Sequence, residues 1–133
     1  MTHVSKRSLP LETIELLNKA LLNLFSNSSP IEIKHIISTL ITKTERIMIL
    51  KRLGILSLMQ EGLTLDETSE SLKTTRQTVA RIQLELLTIP EEDQNFVLKK
   101  LSSWNYFQKL KQILKKSAIW SAKKILRAAV GKP

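Results

Sequence analysis

The chain has 133 residues, 42% of them apolar, which is enough for a domain with a sizeable core and an appendage. It has no cysteine, which excludes disulfides, thiolate catalysis and the usual structural zinc sites and fits a reducing compartment, the cytoplasm. Its net charge of +9 is unevenly placed: residues 90–133 hold 10 Lys/Arg against 3 Asp/Glu, and no acid follows Gln94, a one-signed stretch suited to nucleic acid or an acidic membrane surface.

At the start, MTHVSKRSLPLETIELL sets Lys6 and Arg7 before an apolar stretch, but Glu12 and Glu15 interrupt it before a signal-peptide core can form. No apolar run approaches the roughly 18 residues needed to span a bilayer, so a soluble protein is expected. Helix-start signals then recur, each pairing a Ser or Thr with an acidic or amide residue three positions later, so that side chains satisfy free backbone N–H groups. They are Ser29 with Glu32, Thr42 with Glu45, Thr64 with Glu67 and Thr74 with Gln77. Pro10 and Pro90 suit first helical turns, and Gly62 suits a helix end. No stretch sustains period-two alternation, so the spacing predicts an all-α chain with helices over 10–25, 30–41, 43–60, 65–72, 75–87, 91–102 and 104–129. Two parts are expected, a multi-helix domain over 1–89 and a basic helical extension over 90–133.

The pair of helices at 65–87 carries the most specific pattern. Projected at about 100° per residue, Thr75, Val79, Ile82 and Leu86 share one face, while Arg76, Gln77, Ala80 and Arg81 share the opposite one. In the preceding helix the small Thr68 and Ser69 allow another helix close. A two-helix corner follows, with the second helix anchored on one side and polar on the other. That is the organisation of a helix-turn-helix, whose second helix enters the major groove of DNA. Arg76 suits guanine, Gln77 suits adenine, and Ala80 leaves room for a thymine methyl. Thr74, Thr75 and the helix N-terminus suit a phosphate. The plain alternative is ordinary packing of two capped helices. Residues 61–89 also carry 3 Lys/Arg against 5 Asp/Glu, so phosphate attraction must come from elsewhere.

Residues 40–86, LITKTERIMILKRLGILSLMQEGLTLDETSESLKTTRQTVARIQLEL, resemble the Trp repressor superfamily of bacterial helix-turn-helix proteins. The likeness lies in the Leu40-Ile41-Thr42-Lys43-Thr44-Glu45-Arg46 start, Arg52, the Glu61-Gly62 turn, and Thr78 to Arg81 in the second helix. Residues 10–39 match the family's preceding helices in pattern only, and 90–133 fall outside it. The resemblance implies a helical dimer, joined through its N-terminal helices, that sets two recognition helices into a palindromic site. It implies base contacts at Arg76, Gln77 and Ala80, and backbone contacts at Ser69, Lys73, Thr74, Thr75, Thr78 and Arg81. Lys73 departs from the usual turn glycine, and Asp66 stands where a basic residue would help. Arg52 and Arg81 match the arginines of the tryptophan pocket, a remnant of an effector site, but Ile82 replaces the glycine an indole needs. No tryptophan corepressor and no other cofactor is expected, and Arg52 is expected in an ion pair or a backbone contact.

Over residues 104–130 a helical projection groups Trp104, Phe107, Leu110, Leu114, Ala118, Ile125 and Ala129. Lys109, Lys115, Lys116, Lys123, Lys124 and Arg127 lie elsewhere. Three readings stand: an accessory arm for DNA phosphates, a solvated face on a helix that completes the fold or dimer, and a membrane-surface helix, since Ile113 and Trp120 fall on the cationic side.

Catalysis finds little support. His3 and His35 are far apart, three glycines form no phosphate-cradling loop, and no nucleophile or metal motif occurs. The expectation is a homodimeric, sequence-specific double-stranded DNA-binding regulator, a repressor, and not an enzyme. The alternative is a helical interaction module whose basic C-terminal helix binds RNA or an acidic membrane surface.

Overall fold

The computed structural model describes residues 7–129, the last eleven of them as helical backbone only. Among the described residues there are seven helices and no strand, so the expected all-α class holds. They are α1 (Leu11–Ser26), α2 (Pro30–Leu40), α3 (Lys43–Leu58), α4 (Leu65–Ser71), α5 (Arg76–Leu87), α6 (Glu91–Ser102) and α7 (Phe107–Ala129). None of them is long and apolar enough to cross a membrane.

Three of the four expected capping boxes start helices. Ser29 and Glu32 bond each other's backbone N–H at α2, Thr42 and Glu45 do so at α3, and Thr64 and Glu67 at α4. Two ends differ from expectation by more than one residue. Helix α3 stops at Leu58, because short-range bonds from Met59 N–H to the Leu56 carbonyl and Glu61 N–H to the Leu58 carbonyl tighten the chain into Gly62, whose φ is 73°. Helix α7 starts at Phe107 rather than 104, because Trp104 N–H bonds the Leu101 carbonyl and Phe107 N–H the Trp104 carbonyl, a turn and not a helix. Trp104 therefore stands off the apolar stripe assigned to it and is 49% exposed.

The chain forms two compact units, residues 1–48 and 49–133. In the first, α1 packs on α2, yet neither helix buries a residue. In the second, Ile55, Leu56, Val79, Ile82 and Leu86 form the core, with Met59, Leu65, Leu72 and Leu98 against it. Burying an aliphatic side chain of this size contributes about 1.5 to 3 kcal/mol. Gly54 belongs to this packing: a Cβ there would come within 2.5 Å of Leu72 Cδ2, so the bare backbone lets the end of α4 close on α3.

Helix α7 lies along α4, which is why this unit runs on past the expected division at 89/90. Phe107 and Ala118 are buried, and Leu110 and Leu114 are half-buried, as one stripe of α7 requires. On α4 Thr68, Ser69 and Ser71 are all buried, and their small side chains allow other helices a close approach. Ser71 Oγ donates to the Leu114 carbonyl at 2.8 Å, which satisfies a polar group that burial would otherwise strand. The side chains of Ile125 and Ala129, also placed on this stripe, lie outside the described residues.

Candidate nucleic-acid interface

The break between α4 and α5 is a helix stop followed at once by a helix start. Thr74 N–H bonds the Ser69 carbonyl at 3.0 Å and Lys73 N–H the Glu70 carbonyl at 3.4 Å, the paired bonds of a Schellman stop. Lys73 takes the left-handed position with φ 53°, which costs a residue bearing a side chain about 1 to 2 kcal/mol. Lys51 Nζ donates to the Lys73 carbonyl at 3.0 Å and braces that turn, a role that nothing in the local pattern of α3 signals.

The restart differs by one residue from expectation. Thr75, not Thr74, caps α5: its hydroxyl accepts the Thr78 N–H at 3.1 Å and donates to the Thr78 hydroxyl at 2.9 Å. The Thr74–Gln77 box does not form because the Thr74 N–H that the Gln77 side chain would accept already closes the stop. Gln77 is thereby left exposed, its amide in no hydrogen bond among the described residues. The hydroxyl of Thr78 keeps its own proton for a further acceptor.

Val79, Ile82 and Leu86 anchor α5 in the core, as the projection predicts, while Thr75 lies exposed at the rim. On the other side Arg76, Gln77 and Ala80 join Leu65 of α4 in lining a groove of about 450 Å³. Arg76 Nε sits 3.0 Å from Asp66 Oδ1, in an ion pair exposed on both sides. Lys73 and Thr75 are exposed and Thr74 and Thr78 half-buried around the start of α5.

Two residues assigned to the DNA backbone are otherwise engaged. Ser69 is 6% exposed and its hydroxyl donates to the Asp66 carbonyl at 2.8 Å, so burial takes it out of the surface. Arg81 is drawn along its own helix to Glu85, at 3.0 Å. Arg52 reaches the other oxygen of Glu85 at 2.7 Å, the ion pair expected of it. The two arginines of the implied effector remnant thus converge on a carboxylate of the chain itself, beside a buried Ile82. The Arg52 hydrogen bond, helped by Arg81, holds the Glu85 carboxyl below the usual carboxylate range.

The accessory lysines divide in the same way. Lys115 Nζ lies 2.6 Å from Glu61 Oε1 and Lys111 Nζ 3.8 Å from Oε2, so Lys115 clamps α7 to the turn after α3 rather than standing free. Hydrogen bonding from Lys115 holds Glu61 below the usual carboxylate range. Lys111 also rests 4.7 Å from the centre of the Phe107 ring. Lys109 and Lys116 are exposed, with no ion pair among the described residues. The side chains of Lys123, Lys124 and Arg127 lie outside the described residues. No group of three or more His, Cys, Asp or Glu that could hold a metal occurs among the described residues.

Comparison with protein-family models, with curated proteins and with solved structures finds no match to the chain.

Proposed function

We propose that the chain is a sequence-specific double-stranded DNA-binding regulator of the Trp repressor type, a repressor that works as a homodimer. Its helix-turn-helix is α4 and α5. The observation that carries this reading is the exposed start of α5, where the guanidinium of Arg76, the uncommitted amide of Gln77 and the small Ala80 line one groove. Those are the groups that recognise guanine, adenine and a thymine methyl in the major groove. Lys73 and Thr78 flank the same helix end with donors for phosphate, the Thr75 hydroxyl being spent on Thr78. Because residues 61–89 carry a negative balance, Lys109 and Lys116 on α7 supply part of the phosphate attraction.

Self-association rests on the first unit. Leu11, Leu16, Leu22 and Ile31 are all more than half exposed on helices that bury nothing, a larger apolar surface than a monomer ordinarily shows to water.

A second reading draws on the turn between α6 and α7, where Trp104 and Tyr106 are exposed and Lys100 and Lys109 flank them in the chain. Aromatic and basic side chains together suit RNA or an acidic lipid surface. Gel-shift competition among random duplex, single strand and acidic liposomes separates the readings. Selection from a random duplex pool then decides the first: enrichment of a palindromic site supports it, and binding without sequence preference rejects it.

A further inference from the structure

We infer that Asp66 is a positioning residue for base readout, drawing the Arg76 guanidinium into an ion pair on its Nε side so that the two terminal nitrogens are presented as a fork to guanine. The inference rests on the DNA-reading proposal and names a determinant of its specificity. Arginine has five N–H donors in a fixed plane, and the Asp66 carboxylate forms an ion pair with this guanidinium, 3.0 Å from Nε. Both Nη atoms remain, and a guanine edge, with O6 and N7 as acceptors, needs two such donors.

Both residues stand on backbone fixed by a helix start. Asp66 is in the first turn of α4, which the reciprocal Thr64 and Glu67 bonds fix, and Arg76 is the first residue of α5, fixed by the Lys73 stop and the Thr75 cap. Asp66 has no other side-chain partner among the described residues, and it is 67% exposed, so packing does not account for it. An acid beside a phosphate-binding surface would by itself weaken binding. Acting through Arg76, it instead orders a flexible side chain before DNA arrives. Ordering one such side chain is equivalent to about threefold to tenfold in affinity, and the gain falls only on sequences where the fork finds its guanine.

The test is selection from a random duplex pool and titration of the selected and random duplexes with the full chain, Asp66→Ala, Asp66→Ser, Arg76→Ala and the double variant Asp66→Ala/Arg76→Ala. Thermal unfolding confirms that each variant is folded at the assay temperature, and Asp66→Ser keeps a good helix-start residue should Asp66→Ala not fold. We expect both Asp66 variants to lose about threefold to tenfold of the guanine preference at one base pair per half-site. Random-duplex binding should be unchanged or tighter, and the double variant should match Arg76→Ala. If the Asp66 variants tighten all duplexes equally and keep the guanine preference, Asp66 is only a repulsive charge and the inference is overturned while base reading by Arg76 stands. If Arg76→Ala itself leaves the selected sequence unchanged, the reading of α5 as the base-contacting helix fails, and this inference with it.

Discussion

Lys73 occupies the one left-handed position among the described non-glycine residues, at a helix stop that glycine ordinarily fills. Replacing it by glycine relieves about 1 to 2 kcal/mol of backbone cost but adds about 0.5 to 1 kcal/mol of unfolded-chain entropy. Lys73→Gly should therefore stabilise the fold by roughly 0.5 to 1 kcal/mol in urea unfolding. It should also weaken duplex binding on all sequences alike if Lys73 contacts phosphate. A less stable variant would show that the Lys73 side chain contributes contacts of its own.

Glu61 and Glu85 make a second point at this scale. Both carboxyls are held low by hydrogen bonds from cations, Lys115 and Arg52 respectively. A carboxyl lowered in the folded state contributes stability that is present above the unfolded value and is lost as pH falls through the folded one. Thermal midpoints should therefore fall as pH drops through and below the ordinary carboxylate range. Glu61→Gln should flatten that fall and lower the midpoint at neutral pH; an unaltered pH profile would mean that Lys115 and Glu61 exchange solvent for each other at no gain.

At the scale of elements, α4 is the one to explain, because seven residues are too few to hold a helix alone in water. It is held by its capping box, by α5 against one side and by α7 against another. This alters how the basic end can be tested. Removing residues 103–133 would take Leu114 from Ser71 and Phe107 and Ala118 out of the packing against α4, so truncation should destabilise the α4–α5 corner itself. Charge neutralisation avoids this. Lys109→Gln with Lys116→Gln should leave stability within about 0.5 kcal/mol and lower the salt slope of duplex binding by about 1 for each phosphate deprived of its lysine. An unchanged slope would assign these lysines to a solvated face.

At the scale of the whole molecule, the second unit has a core and the first has almost none of its own. In the proposed homodimer, a second copy covers the apolar side chains of α1 and α2 that stay exposed in one chain. Sedimentation should find a dimer, and Leu22→Asp should give a monomer whose affinity for a palindromic duplex drops more than its affinity for a half-site. A monomeric parent chain at all accessible concentrations would sink the dimer.

Most of the helices, three of the four capping boxes and the two faces of α5 were legible in the sequence, because caps and helical periodicity act between residues only three or four apart. Arg76, Gln77 and Ala80 could be picked out on one face for the same reason. Only the tertiary structure decided which polar groups remain for a partner. Ser69 is buried in the packed unit, Lys115 is held by Glu61, Arg81 and Arg52 meet on Glu85, and Gln77 is released because the Thr74 N–H closes the preceding helix. The Ser71 bond to Leu114 spans 43 positions and the Arg52 bond to Glu85 spans 33, distances at which no local rule pairs residues. Such contacts form only after the helices have packed, and packing is set by burial of the whole core rather than by any short stretch of chain.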